Sequence, residues 1–207
     1  MHDYTVNSLT ITYDNIYLLN EQEKFTNLQN LKCSHLNLRE LHLDKLPNLR
    51  TLDCSFNQLR SLNIHHLTKL EILDCSFNKL RNLQVHELLN LQILDCSANR
   101  LAKLNVQKLI YLTKLNCYNN MLLHLNISNL PNLLIINCFN NSLKSLKIDN
   151  LPTLISLRCH NNLLSELKIC DSCSLITLRY HNNPLKELLN ISKTYSSSEI
   201  KRRVKVM

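Results

Sequence analysis

Apolar residues recur along most of this chain at a fixed step, with polar residues filling the same gaps each time. One unit reads Leu52-x-Cys54-x-x-Asn57-x-Leu59-x-x-Leu62-x-Ile64-x-x-Leu67-x-x-Leu70, and the next begins at Leu73. Within Leu52-Asp53-Cys54-Ser55 the alternation has the period of a short strand, so Leu52 and Cys54 are expected to face a core and Asp53 and Ser55 to face outward. The second half of the unit is too short and too rich in β-branched residues for a long helix. Extended or 3-10 backbone is expected there.

The step is 21 residues. Cysteines mark it at Cys33, Cys54, Cys75, Cys96, Cys117, Cys138 and Cys159, and Tyr180 takes the next place. Three residues on, asparagines keep the same step at Asn57, Asn78, Asn99, Asn120, Asn141, Asn162 and Asn183. A short fixed period is the mark of a solenoid. Stacked in register, the strands form a parallel sheet, and at about 4.8 Å each eight of them span roughly 35 to 40 Å. A lone unit buries too little apolar surface to offset the entropy of ordering it, so units must stack and the ends need caps.

The stretch Leu70-x-x-Leu73-x-Cys75-x-x-Asn78-x-Leu80 resembles the leucine-rich-repeat signature, and the resemblance runs over about residues 25 to 189. Cysteine on the strand with this repeat length is most similar to the cysteine-ladder repeats of some bacterial internalins. The resemblance implies a right-handed leucine-rich-repeat arc with the sheet on its concave face and a protein-binding role. Residues 1–24 are expected to be an N-terminal cap or degenerate repeat through Leu9, Ile11 and Ile16. Residues 190–207 are expected to form a capping helix, with Ser196-x-x-Glu199 as a capping box, and a basic tail. Internalins carry a signal peptide and a wall anchor. Neither is expected here, so host-cell invasion is not carried over.

Composition narrows the function. There is no Gly, which excludes P-loops and dinucleotide loops and argues against turns that need positive φ. No apolar run is long enough to span a membrane. With 9 Cys and no export signal expected, the thiols should be reduced in a cytoplasmic compartment. Low Gly with abundant Asn, Lys and Leu suits a giant virus or an intracellular bacterium, which makes a host protein the expected partner. The net charge of +8 permits an acidic partner, but an AT-rich genome gives the same bias.

Candidate chemistry lies on the outward strand positions, read as columns down the array. The first column runs Lys32, Asp53, Asp74, Asp95, Asn116, Asn137, Arg158, Arg179. The second runs Ser34, Ser55, Ser76, Ser97, Tyr118, Phe139, His160, His181. The third runs His35, Phe56, Phe77, Ala98 and then Asn119, Asn140, Asn161 and Asn182. The face thus passes from acidic, through aromatic, to basic. The residues expected to bind a partner are Asp53, Phe56, Asp74, Phe77, Asp95, Tyr118, Phe139, Arg158, His160, Arg179 and His181. Stacked aspartates repel one another, which hints at a cationic partner group. Drift after repeat duplication would leave similar columns.

The cysteine row reads as small buried hydrophobes packed between leucines, and the asparagine row as a ladder satisfying buried backbone. No metal, cofactor or catalytic residue is expected. Seven thiols in a straight row cannot surround one ion, Cys170-x-x-Cys173 lacks a second pair, and His160 with His181 lacks a carboxylate. The expected function is a non-catalytic protein-interaction module. The alternative is nucleic-acid or anionic-polymer binding through the basic C-terminal half, including Lys201 to Lys205.

Overall fold

The computed structural model describes residues 6–169 and 175–189. Cys170, Ser172 and Cys173, the capping box at Ser196 and the basic run from Lys201 lie outside the described residues. Among the described residues the repeat units stack as a parallel solenoid with little helix. One sheet has nine strands, in the order β1 (Ser8–Thr10), β2 (Asn30–Lys32), β3 (Thr51–Asp53), β4 (Ile72–Asp74), β5 (Ile93–Asp95), β6 (Lys114–Asn116), β8 (Ile135–Asn137), β10 (Ser156–Arg158) and β12 (Thr177–Arg179). Every neighbouring pair is parallel, and from β2 onward register advances by one repeat, as in Leu52 opposite Leu73 and Leu73 opposite Leu94. The first strand, β1, pairs with β2 ahead of the first cysteine unit and leads into 3-10 turns over Tyr13–Asn20 and Gln22–Lys24.

The return segments form a second parallel sheet only in the C-terminal half: β7 (Leu125–Asn126), β9 (Leu146–Ile148), β11 (Glu166–Ile169) and β13 (Glu187–Leu189). In the earlier units the equivalent residues form no strand, and Asn105 alone makes a single parallel bridge, to Asn126 of β7. The core lies between strands and return segments. It is one continuous cluster of leucines, isoleucines and cysteines, most of them fully shielded from solvent.

The seven ladder cysteines are all buried and free. Burial pushes the Cys33 and Cys159 thiols up to about 12 and the five between them well above the ordinary value. They act as packing groups, not as nucleophiles.

The asparagine row closes each turn. The Asn99 Nδ2 donates to the carbonyls of Cys75, Cys96 and Ser97 at 3.0, 3.2 and 3.2 Å, and its Oδ1 accepts the Leu80 N–H at 2.9 Å. Asn57, Asn78, Asn120, Asn141 and Asn162 repeat this pattern, and Asn183 ends it. One amide therefore satisfies backbone groups of two consecutive repeats that the sheet leaves unpaired.

Two expectations fail here. The turn does need positive φ, and residues other than glycine supply it: His35 (61°), Phe56 (52°), Phe77 (52°), Ala98 (51°), Asn119 (53°), Asn140 (52°), Asn161 (54°) and Asn182 (53°) all stand in the left-handed region. Backbone bonds from one repeat to the next hold them there, such as Phe56 N–H to the Ser76 carbonyl at 3.0 Å. Of the serines expected to face outward, Ser55, Ser76 and Ser97 are also buried, Ser97 completely, and Ser34 is half-buried. The reason is the strand's end: the left-handed residue follows at once, so the alternation of a flat strand stops before the serine.

Candidate functional site

The three columns lie beside one another along the edge where the nine-stranded sheet meets the turns. In the first column each aspartate is bound by its own turn. Asp74 Oδ1 accepts the Ser76 N–H at 3.0 Å and the Ser76 hydroxyl at 2.6 Å, and Asp53 and Asp95 do the same to Ser55 and Ser97. These are Asx turns. The acidic column therefore shapes the left-handed turn as well as carrying charge. Burial, with smaller contributions from Asp95 and Asp53, raises the Asp74 carboxyl above its ordinary value despite the two bonds from Ser76.

Past Asp95 the column changes chemistry without a break. The Asn116 amide donates to Asp95 Oδ2 at 2.7 Å, and the Asn137 amide donates to Asn116 Oδ1 at 2.7 Å. The chain of amides ends at Asn137 Oδ1, which is buried and receives no hydrogen bond among the described residues, and further along the Nε–H groups of Arg158 and Arg179 are buried with no acceptor among them. The two arginines stand opposite each other in the β10–β12 register.

Aromatic rings make two stacks on different columns. His35, Phe56 and Phe77 lie face to face on the third column, with centroids 4.3 and 4.2 Å apart. Tyr118, Phe139, His160 and His181 lie face to face on the second column, at 4.6, 4.6 and 4.5 Å. The first stack is the more open. Phe56 and Phe77 are 43% and 40% exposed, and with Tyr13, Gln58 and His35 they line a hollow of about 450 Å³. Tyr118 and Phe139, expected to be exposed, are half-buried because each covers its neighbour's face. Burial, then the His181 ring and the two arginines, push the His160 imidazole below its ordinary value.

The structure thus brings Tyr118, Phe139, His160 and His181 into one line and sets Arg158 and Arg179 beside it. It separates them from Phe56 and Phe77 by the Ala98 unit. His35 and Tyr13 were not singled out in the sequence. The third column places His35 next to Phe56, and that adjacency was the available signal. Nothing in the sequence placed Tyr13 near them. Among the described residues no three His, Cys, Asp or Glu side chains gather as metal ligands, and no helix is long and apolar enough to cross a membrane.

Comparison with known proteins agrees with the geometry. Residues 47–88 match the model of leucine-rich repeats in two copies. No match is found among curated protein sequences. Among solved structures, the functional domain of InlJ from Listeria monocytogenes, described as including a cysteine ladder, is 29% identical with a TM-score of 0.67, over 89% of this chain and 46% of that one. YopM, a leucine-rich effector protein from Yersinia pestis, is 33% identical with a TM-score of 0.70, over 78% of this chain and 45% of that one. The internalin InlF from Listeria monocytogenes has a TM-score of 0.75 over 85% of this chain and 54% of its own, and at 21% identity it speaks to fold alone. The chain spans about half the length of these solved chains.

Proposed function

Because the chain is a leucine-rich-repeat protein of the cysteine-ladder type, we propose that it is a non-catalytic protein-interaction module whose partner lies across the outward columns of the nine-stranded sheet. The observation that carries this reading is the pair of ring stacks along one edge, where Phe56 and Phe77 stay about two-fifths exposed beside a hollow of about 450 Å³. Rigid aromatic side chains with little entropy left to lose are the residue type enriched where interfaces concentrate their energy. Asp53, Asp74 and Asp95 would meet basic groups at one end of the partner, and Arg158, Arg179, His160 and His181 acidic groups at the other. No outward column sets a nucleophile beside a base and an orienting acid, which supports a binding role over catalysis.

Affinity capture from a lysate tests the reading. The expected result is a protein retained at moderate salt, unaffected by nuclease, and lost when Phe56, Phe77, Tyr118 and Phe139 are changed to Ala. Recovery of nucleic acid alone, released by modest salt and indifferent to these changes, would sink it and favour anionic-polymer binding.

A further inference from the structure

Beyond the strand columns, the ridge that follows the asparagine ladder carries a second charged feature of opposite sign to the aspartates nearby. Arg60 and Arg81 occupy equivalent places in consecutive repeats, as do Lys79 and Arg100. These four side chains line a cleft of about 360 Å³. None of them has a carboxylate within ion-pair distance among the described residues, and Lys79 is held by the Gln58 side-chain oxygen at 2.8 Å. Exposed Arg39 extends the Arg60–Arg81 column by one repeat.

The backbone beneath is rigid. Lys79 N–H donates to the Leu59 carbonyl at 2.9 Å and Arg100 N–H to the Leu80 carbonyl at 2.8 Å, so equivalent side chains leave the backbone at the solenoid's own step of about 4.8 Å. Like charges gathered around one cleft, with no carboxylate paired to any of them among the described residues, repel one another until an anion enters. Three of the four are arginines, whose planar forks bind tetrahedral and planar oxyanions through paired N–H groups. The cleft has more room than a single tetrahedral oxyanion fills.

We propose that the cleft of Arg60, Lys79, Arg81 and Arg100 is a binding site for a ligand bearing two or more clustered phosphoryl groups. The site is independent of the sheet columns and of whatever binds them. The ligand's source is either a free oligophosphate or a polyphosphorylated lipid headgroup.

Titration calorimetry of the full chain with inorganic tripolyphosphate at low salt tests the site. Single-site saturable binding is expected. Affinity should fall at least about tenfold in Arg60→Gln/Arg81→Gln, whose long exposed stems leave the thermal midpoint unchanged, and hold in Lys147→Gln/Lys168→Gln, two exposed cations on the second sheet. Flotation with phosphatidylcholine vesicles, with or without a minority of phosphatidylinositol bisphosphate, assigns the source. Capture dependent on both the phosphoinositide and Arg60/Arg81 points to the headgroup, and its absence beside tripolyphosphate binding points to the free anion. Either is consistent with the site. No saturable tripolyphosphate binding, equal loss in both variants, or binding only to a single-stranded oligonucleotide would overturn it.

Discussion

The two halves of the outward face solve the same turn with different side chains. From Asp53 to Ala98 an aspartate folds back onto a serine, the serine is buried, and a phenylalanine or alanine takes the left-handed position. From Asn116 to Asn182 an amide or arginine replaces the aspartate, an aromatic or histidine replaces the serine, and an asparagine takes the left-handed position. Asparagine tolerates that conformation far better than phenylalanine or alanine. It also adds a bond, since the Asn140, Asn161 and Asn182 amides each donate to the asparagine one repeat earlier at 2.6 to 2.7 Å. The N-terminal half therefore accepts backbone strain and leaves phenylalanines exposed, while the C-terminal half relieves the strain and half-buries its rings. Exposed aromatic surface and turn stability are exchanged along one solenoid.

What the halves share should dominate stability. Asn99→Leu and Asn162→Leu each remove an amide that pairs buried backbone in two repeats, so each is expected to cost about 1 to 3 kcal/mol in urea unfolding. A large difference between them would show that the ladder matters in only one half. The left-handed position should separate the halves by a smaller amount. Asn140→Ala is expected to lose about 1 to 2 kcal/mol, whereas Ala98→Asn should gain roughly 0.5 to 1 kcal/mol by easing strain and lengthening the exposed amide row. Equal and opposite effects are not expected, because Asn140 also bonds to Asn119 and Asn161.

Acid should act on the halves with opposite sign, and this is the smallest effect. The Asp74 carboxyl is raised in the fold, so its charge destabilises at neutral pH. That penalty lifts as pH falls through the raised value and is gone below the ordinary value of 3.8. The His160 imidazole is lowered in the fold, so stability is full above its ordinary value of 6.5 and is lost as pH falls from there through the lowered value. Hydrogen exchange resolved by repeat should show protection falling around β10 as pH drops below 6.5, and rising around β4 only at lower pH. His160→Gln should flatten the first trend. Asp74→Asn, which keeps an acceptor for Ser76, should flatten the second with a stability change within about 0.5 kcal/mol.

Much of this was legible in the residues because a solenoid writes its fold as a period. The 21-residue step placed every core leucine and predicted both ladders, since each sits at a position whose neighbours repeat. Two things were not legible. A period-two reading gives facing but no dihedral, so it carried the serines outward and missed the left-handed residue that turns them in. The second sheet's strands start only at β7, yet Leu62-Asn63-Ile64 forms no strand while Leu125-Asn126-Ile127, with the same three residues, pairs through its first two. Nothing in the sequence accounts for that difference. The cationic ridge is written in the same period, at Arg60 and Arg81 and at Lys79 and Arg100, but in columns outside the strands, where no alternation marks a face.

The most direct test of the account is partner retention measured alongside thermal stability for a variant carrying Phe56→Ala, Phe77→Ala, Tyr118→Ala and Phe139→Ala. The account predicts that a nuclease-resistant protein partner held by the wild type is lost, while the thermal midpoint moves far less than it does in Asn99→Leu. A variant that keeps the partner, or that unfolds as readily as Asn99→Leu, would contradict it, since the rings would then serve the fold and not a partner.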